Sequence, residues 1–184
     1  MTRQPPTIRQ QQMRQAIQRD EVLTDAQLQR RGLDGTGFPS LPLTVRPHSQ
    51  SRPEVTVTFY AEPTRLRKPT TLAHSAALAE VRYHLTNTLP PEQAGHWAID
   101  HGGAMSRPDA VWNEETAIEV DTGYAALVVR RKMKAFEAFP GGIIWATTSP
   151  RRSSRLQALY PEARVMTVDY WTPGSSRPQT SSRG

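Results

Sequence analysis

The sequence predicts an α/β protein, with a mixed sheet flanked by helices behind a small basic region. From residue 71 onward, helical and strand patterns follow in the order helix, three strands, helix, strand, helix, strand. Gly and Pro cluster between these segments, where turns are expected. This order is typical of an α/β sandwich with a mixed sheet.

Residues 1–70 are predicted to hold two short helices and a β-hairpin. IRQQQMRQAIQRD is helical by pattern, and Thr24 and Gln27 have the spacing of a capping box, with Gly32 as a C-cap. SLPLTVRP and EVTVTFYAEP alternate like the strands of a hairpin. Two interpretations stay open: a winged helix-turn-helix whose recognition helix does not appear, or a plain helical hairpin. Residues 1–7 are expected to be disordered.

Residues 71–171 are predicted to form the second domain. Its helix at 71–89 is stopped by two prolines. The tail, 172–184, is linker-like and expected to be disordered. The further elements are strands at 96–100, 108–113 and 116–121, a helix at 124–139, a strand at 141–149, a helix at 150–161 and a strand at 163–171.

The net charge of +6 and the pI of about 10.2 suggest a polyanionic partner. Residues 1–70 carry 11 basic and 6 acidic side chains, residues 71–139 carry 6 and 9, and residues 140–184 carry 6 and 2. An acidic middle between basic flanks suits a metal-dependent nuclease, whose flanks would hold phosphates. Of the 23 basic residues 20 are Arg, which suits phosphate binding but also fits an Arg-rich composition.

Several classes of protein are excluded by what the sequence lacks. The absence of Cys excludes disulfides and Cys-based zinc sites, and it fits a reduced cytoplasm. The N-terminus has no apolar core of a signal peptide, and no run approaches the ~18 apolar residues of a membrane span. No Gly-rich nucleotide fingerprint occurs. We therefore expect a cytoplasmic protein that has no membrane partner and does not use ATP.

Three acids stand at the ends of two predicted strands. Asp109 begins one strand, and Glu119 and Asp121 end the next on the same side of it. If the strands form a hairpin, the start of one faces the end of the other, so the acids can converge. Clustered carboxylates repel unless a cation lies among them, and Mg²⁺ or Mn²⁺ prefers such ligands. The alternatives are solvated edge residues or partners of Arg.

The motifs PDAVW, AIEVDTG and KMKAF together resemble the PD-(D/E)XK nuclease superfamily. The resemblance is closest to the replication-relaxation family of bacterial plasmids and mobile elements, and it covers residues 71–171. It implies a winged helix followed by a nuclease-like domain, with Asp109 and Glu119 as metal ligands. The position two after the second acid, usually Lys in active nucleases, is Asp121 here.

The helix predicted at 124–139 can supply the missing lysine. Some related nucleases carry a motif on this helix, and Lys132 stands at the position of that motif. If that helix starts directly after Asp121, Lys132 lies about 16 Å further along the axis, too far for one metal site. Lys132 is then expected to contact phosphate or to be a solvated helix charge. Glu80 is expected to lie at the surface, with an extra catalytic carboxylate as the alternative.

The expected partner is DNA. The basic residues that could contact it flank the predicted hairpin or begin the helix at 150–161, where backbone amides bind anions. Solvated surface charge is the alternative for both groups. The hairpin group is Arg46, Arg65, Arg67 and Lys68, and the helix group is Arg151, Arg152 and Arg155.

Two functions follow from the resemblance. The first is a DNA-binding protein of a plasmid or mobile element that acts in replication, relaxation or transfer, alongside plasmid replication or transfer proteins. Its catalytic residues would be Asp109, Glu119, Asp121 and Lys132, in a Mg²⁺- or Mn²⁺-dependent nickase or endonuclease. The second is a catalytically inactive nuclease fold that serves as a regulatory or protein-interaction module. A soluble adaptor whose basic charge is purely compositional is a third reading.

Overall fold

The computed structural model describes residues 7–47, 54–87, 89–90, 93–100 and 106–173. The predictions of disorder for residues 1–6 and 174–184 lie outside these ranges. The described elements are α1 (Ile8–Asp20), β1 (Val22–Thr24), α2 (Asp25–Arg30), β2 (Ser40–Val45), β3 (Val55–Ala61), α3 (Pro63–Leu66), α4 (Pro69–Thr86), β4 (Trp97–Ile99), β5 (Ala110–Trp112), β6 (Thr116–Asp121), α5 (Ala126–Phe136), β7 (Ile143–Thr147), α6 (Pro150–Leu159) and β8 (Arg164–Thr167).

The chain divides into two compact units. The first holds the described residues up to Ala79 together with 169–173, and the second holds those from Glu80 to Val168. The division falls inside α4, whereas the sequence placed a domain boundary at residue 70. The strand predicted at 163–171 ends at Thr167, and residues 169–173 belong to the first unit, where the Thr24 hydroxyl donates to Tyr170 O.

The first unit contains a three-stranded antiparallel sheet in the order β1-β3-β2. The predicted β2–β3 hairpin is confirmed, and α2 begins at the predicted Thr24–Gln27 capping box. Between α2 and β2 the described chain forms turns without a helix, as the sequence indicated. β1 was not predicted, because three residues are too few to show a periodic pattern. The core includes Met13, Ala16, Ile17, Leu23, Leu28 and Ala79.

The second unit contains a five-stranded sheet in the order β4-β5-β6-β7-β8. β4, β5 and β6 are antiparallel neighbours, whereas β6, β7 and β8 run parallel, so the predicted mixed sheet is confirmed. Helices α5 and α6 make the crossovers that parallel neighbours require. The apolar side of α5 packs on the central strands in a core that includes Val129, Met133, Phe136, Trp145 and Leu156.

The β5–β6 hairpin closes through a tight turn at Asn113 and Glu114. Both residues have positive φ, 55° and 63°, as in the two-residue turns that match the twist of paired strands. Asn113 also accepts the backbone N–H of His96 through its side-chain oxygen, at 2.9 Å. The turn sets the register that pairs Ala110 with Ile118, and this register brings Asp109 towards the end of β6.

Within the described residues, no helix has both the length and the apolar character that crossing a bilayer requires.

Candidate functional site

The centre of the candidate site is Glu119, on the central strand β6. Its side chain is fully buried, and Lys132 Nζ lies 2.8 Å from Oε1. Neither carboxylate oxygen receives a hydrogen bond of good geometry from the described residues. Burial raises the pKa of Glu119 to about 7, and the Asp109 carboxylate adds to the rise, while Lys132 and the Tyr124 hydroxyl oppose it. Glu119 therefore exchanges its proton near neutral pH.

Lys132 reaches Glu119 because of where helix α5 begins. The helix starts at Ala126, after a turn, and runs back along the sheet. The separation of about 16 Å between Asp121 and Lys132 does not apply, because it held only for a helix continuing directly from Asp121. The reading of Lys132 as a solvated charge is also wrong, since the residue is only 7% exposed. Its ammonium group lies 5.6 Å from the Tyr124 ring centroid and 3.4 Å from the Arg107 carbonyl oxygen.

Asp109 precedes β5 and is half-buried. Its Oδ2 accepts the backbone N–H of Val120 at 2.8 Å, so the carboxylate lies against the residue next to Glu119. The meeting of the first acid with the end of β6, predicted from hairpin geometry, is confirmed. The negative charge of Asp109 also favours the neutral form of Glu119.

Asp121 makes a different set of contacts, although it also points to this side of the sheet. Its Oδ1 accepts the backbone N–H groups of Gly123 and Tyr124, both at 2.7 Å. Its Oδ2 accepts from Trp145 Nε1 at 3.1 Å and from Arg152 Nε and Nη2 at 2.8 and 2.6 Å. Asp121 is thus a buried partner of Arg, one of the alternatives that the sequence left open. A cation could bind it only by displacing these donors.

Tyr124 is the residue that the sequence analysis missed. Burial raises its pKa, and the charges of Glu119 and Asp109 raise it further, which places the phenol beside both acids. Its ring meets Trp145 edge-on, with the centroids 6.4 Å apart. The helix predicted at 124–139 included Tyr124, whereas α5 begins two residues later, at Ala126. Its place directly after the DTG turn was the signal available.

Glu80 is buried in α4, so the expectation of a surface position was wrong. Its Oε1 lies 3.5 Å from His84 Nε2, one helical turn further on. A partner on the same helix lets an acid remain in an apolar face.

The basic residues predicted to contact DNA differ in their surroundings. Arg46 pairs with Glu54 at 2.7 Å, with both side chains exposed, and Arg65 pairs with the half-buried Glu21. Arg67 and Lys68 are exposed. Exposed pairs such as Arg46–Glu54 contribute little to stability.

In the second unit, Arg151 and Arg155 are exposed at the start of α6. Arg152 is not presented to solvent in the same way, because its guanidinium binds Asp121 and donates to Tyr124 O at 2.6 Å. Arg152 therefore closes the turn between β6 and α5.

Among residues 7–47, 54–87, 89–90, 93–100 and 106–173, no three His, Asp or Glu side chains converge as a metal-binding group. The acids of the site are a pair, Asp109 and Glu119, and Lys132 contacts Glu119. Comparisons of the chain with protein-family models, with curated proteins and with solved structures found no match. The site's own geometry is thus the basis for a functional conclusion.

Proposed function

We propose that this chain is a DNA-associated protein whose second unit cleaves phosphodiester bonds with a divalent cation. The observation that carries the proposal is the contact of Lys132 Nζ with Glu119 Oε1 at 2.8 Å, beside Asp109. Two carboxylates and an amine close together on one side of the sheet are groups that metal-assisted hydrolysis can use. This reading agrees with the resemblance of the PDAVW and AIEVD segments to PD-(D/E)XK nucleases of the replication-relaxation type. Replication, relaxation or transfer of a plasmid-like element is the corresponding process.

Lys132 supports the proposal because it supplies the group that the β6 motif lacks. The position two residues after Glu119 is occupied by Asp121, which is committed to Arg152. Helix α5 brings an ammonium group to the second acid from a different place in the chain. There Lys132 would stabilise negative charge on a phosphate and hold Glu119 ionised.

The donor set fits a small divalent cation at two residues. Glu119 has two buried oxygens that accept no well-formed hydrogen bond from the described residues, so both keep lone pairs for a cation beside Lys132. Asp109 and Glu119 would hold Mg²⁺ or Mn²⁺, which prefer such oxygen ligands. A bound cation would polarise the phosphodiester and lower the pKa of a water molecule.

The first unit supports association with DNA. Its elements follow in the order α1, β1, α2, β2, β3 with the sheet order β1-β3-β2, which suits a winged-helix-like module. The helix expected to enter a DNA groove is missing between α2 and β2 in the described chain. Contacts would then come from the hairpin and from exposed cations such as Arg67 and Lys68, directed at phosphates rather than at bases.

The decisive experiment is cleavage of supercoiled and single-stranded DNA in the presence of Mg²⁺ or Mn²⁺. Asp109→Asn, Glu119→Gln and Lys132→Met should each lower the cleavage rate by about two orders of magnitude or more. The matched controls are Glu137→Gln and Lys134→Met, which change exposed residues at the end and on the outer side of α5. If all three site variants cleave DNA at the wild-type rate, the assignment is refuted.

A second candidate is a nuclease fold without catalysis, used as a regulatory module. The charges favour it in one respect: Glu119 is balanced by Lys132, and Asp121 by Arg152. Such a site needs no cation to be stable. Titration of the protein with Mn²⁺, followed by electron paramagnetic resonance, separates the two functions. Binding that is lost in Asp109→Asn supports the enzyme, and no binding, together with DNA that is held but not cut, supports the module.

A further inference from the structure

A cleft between the start of α5 and helix α6 lies next to the carboxylate–lysine site and is not used by the proposed chemistry. It contains a cavity of about 90 Å³ that is open to solvent. Tyr124 belongs to both places, since its ring lines the cleft while its hydroxyl is influenced by Glu119. The cleft lies entirely within the second unit. Its lining includes Tyr124, Arg152, Arg155, Leu156, Leu159 and Tyr160.

We propose that this cleft seats one unstacked nucleobase of a single strand, with the adjoining phosphate at Arg155. The inference rests on the proposed function, because it names single-stranded nucleic acid as the substrate class for the neighbouring site. A nucleotide combines a flat, largely apolar ring with one negative charge. The lining offers matching chemistry: two phenol rings, aliphatic side chains, guanidinium groups and no acidic side chain. Aromatic rings and arginines are the groups on which proteins stack unpaired bases.

The charges at the cleft point to an anion. Arg155 is exposed, and within the described residues it has neither an ion pair nor a side-chain hydrogen bond. Arg152 donates hydrogen bonds from Nε and Nη2 to Asp121 and to the Tyr124 carbonyl oxygen. Within the described chain its Nη1 donates none. Because Asp121 is neutralised by Arg152, the positive charge of Arg155 is not offset within the cleft.

The apolar side of the cleft is unusually open to solvent. Leu159 is 60% exposed and is one of three large hydrophobic side chains exposed in the described chain. The cavity of about 90 Å³ is smaller than a site that encloses a whole drug-sized ligand, and it is too short for an amphipathic helix, which needs a long groove. A single flat group therefore fits better than a protein partner.

The test compares two fluorescein-labelled oligonucleotides in EDTA, so that no cleavage can occur. One is oligothymidylate, and the other is an abasic oligomer of the same length and phosphate number. Wild-type protein should bind the abasic oligomer roughly tenfold more weakly than oligothymidylate, because the abasic oligomer lacks the one base that would stack in the cleft. Tyr160→Leu should abolish this difference while changing abasic binding little. Arg155→Gln should weaken both oligomers alike, and the control Arg131→Gln, at an exposed position of α5, should leave the ratio unchanged.

Equal dissociation constants of wild-type protein for the two oligomers would overturn the proposal, and this outcome does not depend on the folding of any variant. A persistent difference in a correctly folded Tyr160→Leu variant, checked by circular dichroism, would overturn it as well. If neither oligomer binds even at low salt, association with single strands fails too. Binding of an acidic amphipathic peptide, lost in Tyr160→Leu while the two oligomers bind equally, would assign the cleft to a protein partner instead. The cleavage assay with metal is independent of all these outcomes.

Discussion

Replacing Lys132 with Met should destabilise the protein in a way that depends on pH. The substitution removes the ammonium group 2.8 Å from Glu119 Oε1 and preserves much of the side-chain length that packs near Phe136. Glu119 then remains buried beside Asp109 without a compensating charge. Its pKa should rise beyond the value of about 7 that it has with Lys132 present.

The magnitude follows from the linkage between protonation and folding. The pKa of Glu119 is raised from its ordinary value of 4.5 to about 7 in the folded protein. A raised pKa means that protonation stabilises the fold below pH 4.5, and that this contribution is lost as pH rises through 7. At about pH 8.5 wild-type Glu119 is ionised, whereas the variant still holds the proton, and 1.5 pH units at 1.36 kcal/mol each give about 2 kcal/mol. At about pH 5.5 both proteins hold the proton, so this part of the cost vanishes.

Urea unfolding in EDTA measures this effect, with tryptophan fluorescence and far-ultraviolet circular dichroism as probes. The loss of unfolding free energy in Lys132→Met should be about 2 kcal/mol larger at about pH 8.5 than at about pH 5.5. Lys134→Met, which removes an exposed charge from the same helix, should change stability by less than about 0.5 kcal/mol at either pH. The same loss at both pH values in Lys132→Met would refute the buried, proton-linked pair.

Three further predictions concern stability. The double variant Glu119→Gln/Lys132→Met should be more stable at about pH 8.5 than Lys132→Met alone, because the double variant lacks the uncompensated acid. Additive losses of stability in a double-mutant cycle would contradict this prediction. Asp121→Asn should lower the unfolding free energy measured in urea by roughly 3 kcal/mol, because it leaves Arg152 without its carboxylate partner. Glu137→Gln should be nearly neutral, and similar effects of the two substitutions would argue against the buried Asp121–Arg152 pair. Thr24→Ala should lower the free energy of unfolding by about 1–2 kcal/mol, because it removes the α2 cap and the hydrogen bond to Tyr170 O. Thr7→Ala, at the exposed α1 capping box, should lower it less. A larger decrease in melting temperature for Thr7→Ala than for Thr24→Ala would contradict this prediction.

The local elements were readable from the chain because their causes are local. A capping box needs two residues three apart, and both Thr24 with Gln27 and the alternating strands of the β2–β3 hairpin lie within one window. Likewise, the order of helices and strands after residue 71 required a mixed sheet, which β4 to β8 form. Hairpin geometry indicated that Asp109 could meet the end of β6, and its carboxylate does so at Val120.

The partners of the buried charges could not be read in this way. Whether Lys132 faces solvent or Glu119 depends on a turn of a few residues that lets α5 start at Ala126 and fold back over the sheet. Whether Asp121 holds a cation or an arginine depends on Arg152, 31 residues later on another helix.

The sequence by itself thus determined the class of fold, its order of elements and the strand ends at which acids gather. Periodicity, caps and turn residues act over a few neighbouring positions, so they are visible in a single chain. Only the tertiary structure decided which acid is neutralised, which retains a proton near neutral pH and which tyrosine stands beside them. A buried charge is governed by whatever cation the fold brings within a few ångströms, and that distance is set by packing between segments far apart along the chain.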